Sequence, residues 1–205
     1  MRVLITCCGR SGSVFTSKLL QRLKIPVGHE VSAEGGCVGY NWPIWLHEKY
    51  DAILHQIREP LACIRSLTTI RTAIFKMVAR NAGEVDRPKG ITDDEWLIVR
   101  AMNYYVRWNQ KSREAATWSY RVECLKRNDP VYLEWGRRLD LPEDVLKAVH
   151  GLSRNTNTRK DKPDQYTYPE VNWEILQGLH PQLFEEVAIM AQEHGYETNE
   201  VTHVG

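Results

Sequence analysis

A run of glycine and hydroxyl residues follows the first apolar segment of the chain. Residues 2–6 are typical of a short buried strand, Gly9-Arg10-Ser11-Gly12-Ser13 comes next, and residues 13–24 form an amphipathic, helix-like pattern. The N-terminus of a helix has N–H groups without an intrahelical acceptor and a partial positive charge, which suits a phosphate or sulfate. The sequence therefore predicts an anion site in this turn, where Gly9 and Gly12 allow the ligand a close approach.

Two common phosphate-binding motifs do not fit this turn. A Walker A loop needs Gly-x4-Gly-Lys-Ser/Thr, whereas these glycines are three positions apart and the next lysine, Lys18, is well inside the helix. The Cys-x5-Arg motif of phosphatases also fails, because Ser13 stands six positions after Cys7 and Val14 six positions after Cys8. The missing Gly-Lys-Ser/Thr therefore argues against a standard nucleoside triphosphatase, and the missing arginine excludes a cysteine phosphatase.

The elements that must position this turn alternate between strand and helix. Further strands are predicted at 25–30, 51–57 and 117–122, with a glycine-rich loop after residue 30. Helices are predicted at 60–80, 92–115, 172–179 and 181–194, with one or two more over 133–151 that break at Pro142. Such alternation predicts a three-layer α/β fold with a central parallel sheet flanked by helices. Thr92 and Glu95 have the spacing of a capping box.

The size and composition of the chain limit its class. A length of 205 residues, with 42% apolar and 26% charged residues, predicts a single folded domain spanning residues 1–205. No apolar stretch has the length of a bilayer span and no signal-peptide pattern begins the chain, so we expect a cytoplasmic protein with no membrane partner. Five cysteines without a Cys-x-x-Cys pair predict reduced core thiols and no metal site.

The charge is unevenly distributed along the chain. Residues 1–80 hold 11 Lys/Arg and 5 Asp/Glu, whereas residues 81–205 hold 16 and 21. A compact basic half suits a small polyanion better than a nucleic acid duplex, and residues 180–205, with five acids and no Lys or Arg, would repel nucleic acid. We therefore expect a small anionic ligand and no nucleic-acid partner.

Several segments in order resemble the sulfotransferase family. Gly-Arg-Ser-Gly-Ser-x-Phe follows the first strand, and His55-Gln56-Ile57-Arg58-Glu59-Pro60 ends a later one, with Ser66 eight residues after Arg58. Val27-Gly28-His29-Glu30, followed by a glycine-rich loop and Trp42, is similar to the second strand of bacterial and carbohydrate sulfotransferases. Residues 120–125 and 153–159 are similar to a later strand and to a loop that closes over the cofactor, so the resemblance spans about residues 2–178.

The resemblance implies a P-loop NTPase-like sulfotransferase fold and a sulfotransferase reaction. In this family a sulfuryl group moves from 3′-phosphoadenosine-5′-phosphosulfate (PAPS) to an acceptor hydroxyl, and adenosine 3′,5′-bisphosphate (PAP) is the product. The second-strand motif favours a sugar hydroxyl, so the expected acceptor is a small molecule or a glycan. Loops 31–47 and 81–92 are expected to shape its pocket. Tyr40, Trp42 and Trp45 could stack on the acceptor there, although packing under the loop explains them as well.

The family motifs also imply residue roles. Arg10 would neutralise charge on the departing phosphate, Arg58 and Ser66 would hold the 3′-phosphate, and Arg159 with Lys160 would close over it. Val14 departs from the family motif because it replaces a hydroxyl residue: either Thr16 is the substitute, or the affinity for the cofactor is lower. The 5′-phosphate would be held by the backbone amides of Ser11 to Phe15 and by the Ser13 hydroxyl, in a cofactor-binding loop that comprises Gly9, Arg10, Ser11, Gly12, Ser13, Val14 and Phe15.

The acceptor hydroxyl must lose a proton as it attacks sulfur, so a base is needed within hydrogen-bond reach. Glu30 is the first candidate, because a glutamate near this place is the base in several relatives. His29 is the second, because a neutral imidazole is well suited to accept a proton at physiological pH. Neighbouring residues of a strand face opposite sides, which predicts that only one of the two reaches the site. His55, within an apolar strand, is assigned to structure.

Two other function classes stay open on the sequence alone. One is a P-loop-like nucleotide kinase, against which the missing Gly-Lys-Ser/Thr argues. The other is a non-catalytic nucleotide-binding protein, which Val14 favours. Turnover of ATP with magnesium would indicate the first, and nucleotide binding without group transfer would indicate the second.

Overall fold

The computed structural model describes residues 1–70, 72–148 and 168–198. Among these residues, no helix combines the length and the apolar composition needed to cross a bilayer. The strands are β1 (Val3–Cys7), β2 (Gly28–His29), β3 (Gly36–Gly39), β4 (Ala52–Ile57) and β5 (Trp118–Arg121). The helices are α1 (Ser13–Arg22), α2 (Pro60–Leu67), α3 (Thr72–Ala82), α4 (Asp93–Ala115), α5 (Pro130–Arg138), α6 (Glu143–Ala148), α7 (Trp173–Leu179) and α8 (Pro181–Glu193), and short 3-10 turns lie at Trp42–Trp45 and Val122–Cys124.

The strands form one parallel sheet in the order β2-β3-β1-β4-β5. The chain adds β2 and β3 on one side of β1 and then β4 and β5 on the other. Open parallel sheets bind ligands outside the carboxyl ends of their strands, at the point where the strand order reverses. That point is the end of β1, where the glycine-rich turn lies. The predicted α/β class, with a central parallel sheet flanked by helices, is confirmed.

The contacts divide the chain into two compact units. The first consists of residues 1–58 and 112–163 and contains the sheet with α1, α5 and α6. Alternate residues of β1 enter different apolar clusters: Val3 and Ile5 pack with α1, α5 and α6, whereas Leu4 packs with Cys37 and Trp42. Because side chains alternate along a strand, both faces of the sheet are apolar, as in parallel sheets generally.

The second unit consists of residues 59–111 and 164–205 and contains α2, α3, α7, α8 and most of α4. Val99, Tyr104 and Trp108 of α4 are buried, and the Tyr104 ring lies edge-on to Phe75 and Trp108 at centroid distances of 6.2 and 5.9 Å. An ion pair joins α4 to α8, with Arg107 Nη2 2.7 Å from Glu186 Oε1. The capping box is confirmed, because the Thr92 N–H donates to Glu95 Oε2 (2.7 Å) and the Glu95 N–H to Thr92 Oγ1 (3.3 Å).

Two element predictions were wrong. The single helix at 60–80 is two helices, because the hydroxyls of Thr68 and Thr69 donate to the carbonyls of Arg65 and Ser66 (2.8 Å each) at the end of α2. The glycine-rich loop contains β3, whose glycines disfavour a strand by local propensity. At Gly36 (φ +110°) a Cβ would lie 1.9 Å from Val3 O, so pairing with β1 requires a glycine.

Candidate functional site

The β1–α1 loop, residues 8–12, is a tight turn with two residues in the left-handed region. Arg10 has φ +66° and Gly12 has φ +88°. The Ser11 N–H donates to Cys8 O at 3.3 Å within the loop. A Cβ at Gly12 would lie 3.1 Å from Val122 Cγ2, so the backbone angle and the contact with the residue after β5 both favour glycine.

The N-terminus of α1 offers donors to an anion. No side chain caps this helix, and its first main-chain bond runs from the Thr16 N–H to Gly12 O at 3.2 Å. The amides of Ser13, Val14 and Phe15 precede that bond and have no acceptor within the helix. This donor set fits a phosphate or sulfate. Of the five amides predicted for this role, the Ser11 amide already donates within the loop.

A buried glutamine supports the loop from below. Gln56, on β4, is fully buried, and its Nε2 donates to Ser11 O at 2.6 Å. Its Oε1 accepts from the hydroxyls of Tyr120 (2.9 Å) and Thr16. The Thr16 hydroxyl is therefore directed into the core, and the prediction that it replaces the hydroxyl missing at Val14 was wrong. The sequence analysis did not identify Gln56, although a polar residue within an apolar strand was a signal for it.

The other predicted cofactor residues have different surroundings. Arg58 follows β4, and its Nη1 donates to Arg10 O at 2.9 Å, which supports the left-handed residue of the loop. Ser66 lies on α2, in the second unit. Phe15 is half-buried against the apolar cluster under α1. Arg159 and Lys160 lie outside the described residues.

The two candidate bases lie beside each other, and one of them, His29, contacts the start of α1. His29 Nε2 is 2.9 Å from Ser13 Oγ and 3.6 Å from Glu30 Oε1. The prediction that only one of them faces the site was wrong, because β2 ends at His29 and Glu30 has φ +59°, which turns its side chain out of the strand alternation. The structure therefore links the start of α1 to Glu30 through Ser13 and His29.

The Glu30 carboxylate lies over the end of β3. The N–H groups of Tyr40 and Asn41 donate to its Oε2 at 3.0 and 3.3 Å, and a Cβ at Gly39 would lie 2.2 Å from that same atom. Burial raises the pKa of Glu30 to about 7, although these N–H groups lower it. A carboxyl group with a pKa near neutrality can accept and release a proton under physiological conditions.

The electrostatic surroundings favour a neutral His29 and a neutral Tyr40. Partial burial lowers the pKa of His29. Burial and the Glu30 charge raise the pKa of Tyr40, whereas Arg10 lowers it. Arg10 and Glu30 therefore both act electrostatically on Tyr40, so the positive charge of Arg10 lies on the loop side of Glu30.

Several residues singled out in the sequence are structural. Trp42 is buried with Leu4 and Cys37, which agrees with the packing interpretation. His55 is fully buried on β4, with Nδ1 3.0 Å from Ser119 Oγ. All five cysteines lie within the described residues and are buried thiols. Among the described residues, no group of three or more His, Cys, Asp or Glu side chains could hold a metal ion.

Comparison with known proteins adds no relative. No protein-family model matches the chain, and searches of curated proteins and of solved structures find no significant match.

Proposed function

We propose that this protein is a sulfotransferase that moves a sulfuryl group from PAPS to an acceptor hydroxyl. One observation carries the proposal: the uncapped N-terminus of α1 lies within one hydrogen bond of His29, and His29 lies 3.6 Å from the Glu30 carboxyl group, whose pKa burial raises to about 7. Sulfuryl transfer to a hydroxyl needs both features, a site for the phosphate that leaves and a base for the proton that is lost.

The β1–α1 loop supplies the anion site of this proposal. When bound, PAPS supplies an activated sulfuryl group joined to its 5′-phosphate. The amides at the start of α1 and the Ser13 hydroxyl would hold that phosphate, and Arg10 would stabilise negative charge on it. Arg58 is assigned to the 3′-phosphate, with one of its five N–H donors kept for Arg10 O. Gln56 stabilises the conformation of the loop through its hydrogen bond to Ser11 O.

Glu30 supplies the base. Its ionised carboxylate accepts the proton of the acceptor hydroxyl, and the N–H groups of Tyr40 and Asn41 hold its Oε2 in place. Because the pKa of Glu30 is about 7, both its ionised and its protonated form are present near neutral pH. The second-strand motif that ends in Glu30 makes a sugar hydroxyl the acceptor class that we propose.

Calorimetric titration with PAP and with ATP tests the cofactor class. We expect PAP to bind much more tightly than ATP, because the 3′-phosphate is the group that Arg58 would hold. Equal and weak binding of both nucleotides would reject the proposal, and magnesium-dependent turnover of ATP would favour the kinase.

Transfer of labelled sulfate from PAPS to a panel of sugars and phenols tests the chemistry. Glu30→Gln should lower the rate about 10²- to 10⁴-fold, as expected for loss of a general base. Glu34→Gln, at an exposed residue of the following loop, is the matched control and should keep the wild-type rate. Undiminished transfer by Glu30→Gln would show that Glu30 is not the base.

A further inference from the structure

The contact between Ser13 and His29 connects two parts of the site with different chemistry. Ser13 is the first residue of α1 and is buried, and its Oγ lies 2.9 Å from His29 Nε2. His29 is partly exposed, at 37% of its side chain, so it can exchange protons with solvent. The same Nε2 atom is also 3.6 Å from Glu30 Oε1.

Protonation of His29 changes what the Ser13 hydroxyl can do. A neutral imidazole with its hydrogen on Nδ1 accepts the hydroxyl hydrogen of Ser13 at Nε2, which directs this hydrogen away from the helix N-terminus. An imidazolium donates from Nε2 to Ser13 Oγ instead, because both of its ring nitrogens carry hydrogen. The Ser13 hydrogen is then available to an anion at the start of α1.

We propose that an anion on the β1–α1 loop and a proton on His29 bind cooperatively, with the Ser13 hydroxyl as the link between them. The inference rests on the anion site of the proposed function and adds a residue to it: His29 sets the direction of a hydrogen bond to the anion. Coupling between two sites is reciprocal, so the anion strengthens proton binding by the factor by which the proton strengthens anion binding. The proton comes from solvent and forms the Nε2–H bond of the imidazolium, and no other covalent bond changes.

The groups around His29 are compatible with the uptake of a proton by His29 when an anion binds. Glu30, 3.6 Å away, favours imidazolium when it is ionised. Arg10 is a fixed positive charge on the loop side and acts electrostatically on Tyr40. Tyr40 and Cys37 both interact with Glu30. Burial, and to a smaller extent nearby negative charge, raises the pKa of each side chain, and the pKa of Cys37 is raised to about 12. Both therefore stay neutral in the range where His29 titrates.

Nuclear magnetic resonance with sodium sulfate tests the inference. Sulfate keeps one charge state around neutral pH, so any proton that is taken up belongs to the protein. The imidazole signal of His29, assigned by its loss in His29→Asn, is titrated with pH in sulfate and in chloride at equal ionic strength. We expect sulfate to move the midpoint upward, and sulfate to bind about three- to tenfold more tightly near pH 5.5 than near pH 8.

Two serine variants separate the hydroxyl link from general electrostatics. Ser13→Ala should remove most of the upward movement, because only the through-space attraction remains. Ser17→Ala is the matched control: Ser17 is buried on the same helix, but its hydroxyl donates to Val14 O, so the wild-type response should persist. The full movement in Ser13→Ala, or no movement in the wild-type protein, would overturn the inference.

Amide signals of residues 12–15 distinguish the two failures. If sulfate shifts these signals and leaves the His29 midpoint unchanged, the anion site stands and the coupling is wrong. If sulfate shifts neither, the anion site is wrong as well, and with it the proposed function.

Discussion

Replacement of Glu30 by glutamine should change the pH dependence of stability. The free energy of unfolding of Glu30→Gln, minus that of the wild-type protein, should be larger at alkaline pH than at acid pH. The Glu30 carboxyl ionises near pH 4.5 in the unfolded chain and near pH 7 in the native state, because burial opposes its charge. Between these values the native state holds a proton that the unfolded state has lost. The free energy of unfolding of the wild-type protein therefore falls as pH rises through this range. Glutamine carries no such proton.

The size of the effect follows from the two pKa values. Each pKa unit corresponds to about 1.36 kcal/mol, so a rise from 4.5 to about 7 gives roughly 3 kcal/mol. Since 19% of the side chain is exposed, solvent screening reduces this to about 2 kcal/mol. The free energy of unfolding of Glu30→Gln minus that of the wild type should thus grow by about 2 kcal/mol from pH 4.5 to pH 8.

Urea unfolding at a series of pH values measures this difference, with tryptophan fluorescence and circular dichroism followed together to check for a two-state transition. His29 titrates in the same range with the opposite sign: its pKa is lowered, so its contribution to stability is lost as pH falls. The comparison is therefore repeated in a His29→Asn background. Glu34→Gln, at an exposed position, should give a constant difference from the wild type. A constant difference for Glu30→Gln as well would refute the assigned burial of this carboxyl group.

Three further predictions concern the support of the site and the helices. Gly39→Ala should displace the Glu30 carboxylate, because its Oε2 would lie 2.2 Å from the new Cβ. Kinetics should show a rate of sulfate transfer about 100-fold lower, and calorimetry little loss of PAP binding. An unchanged rate would contradict the placement of Glu30. Gln56→Met keeps the side-chain volume but removes three hydrogen bonds. It should weaken PAP binding and lower the free energy of unfolding in urea by about 2–3 kcal/mol. PAP binding equal to that of the wild type would show that the loop does not need this support. Thr92→Ala should cost about 1 kcal/mol in the same assay through loss of the capping box, whereas PAP affinity should stay unchanged.

The sequence by itself determined the features that depend on neighbours along the chain. The strand, glycine turn and helix at the start of the chain, the capping box at Thr92 and the break at Pro142 are local patterns, and all lie where they were predicted. Each depends on residues within about four positions, where backbone angles and capping bonds decide the outcome. The alternation of strand and helix was enough to predict a parallel sheet.

Only the tertiary structure decided how the site is assembled. β3 exists because Gly36 lets the backbone approach Val3, a contact across 33 positions that no local propensity contains. His29 and Glu30 share one side because a left-handed residue ends the alternation of β2, and Glu30 owes its raised pKa to burial over β3. The support from Gln56 likewise comes from Ser11 and Tyr120, which adjoin it only through strand pairing. Pairing partners and burial belong to the folded chain, so spacing identified the two candidate bases, but only the folded sheet placed them beside each other, with His29 at the start of α1.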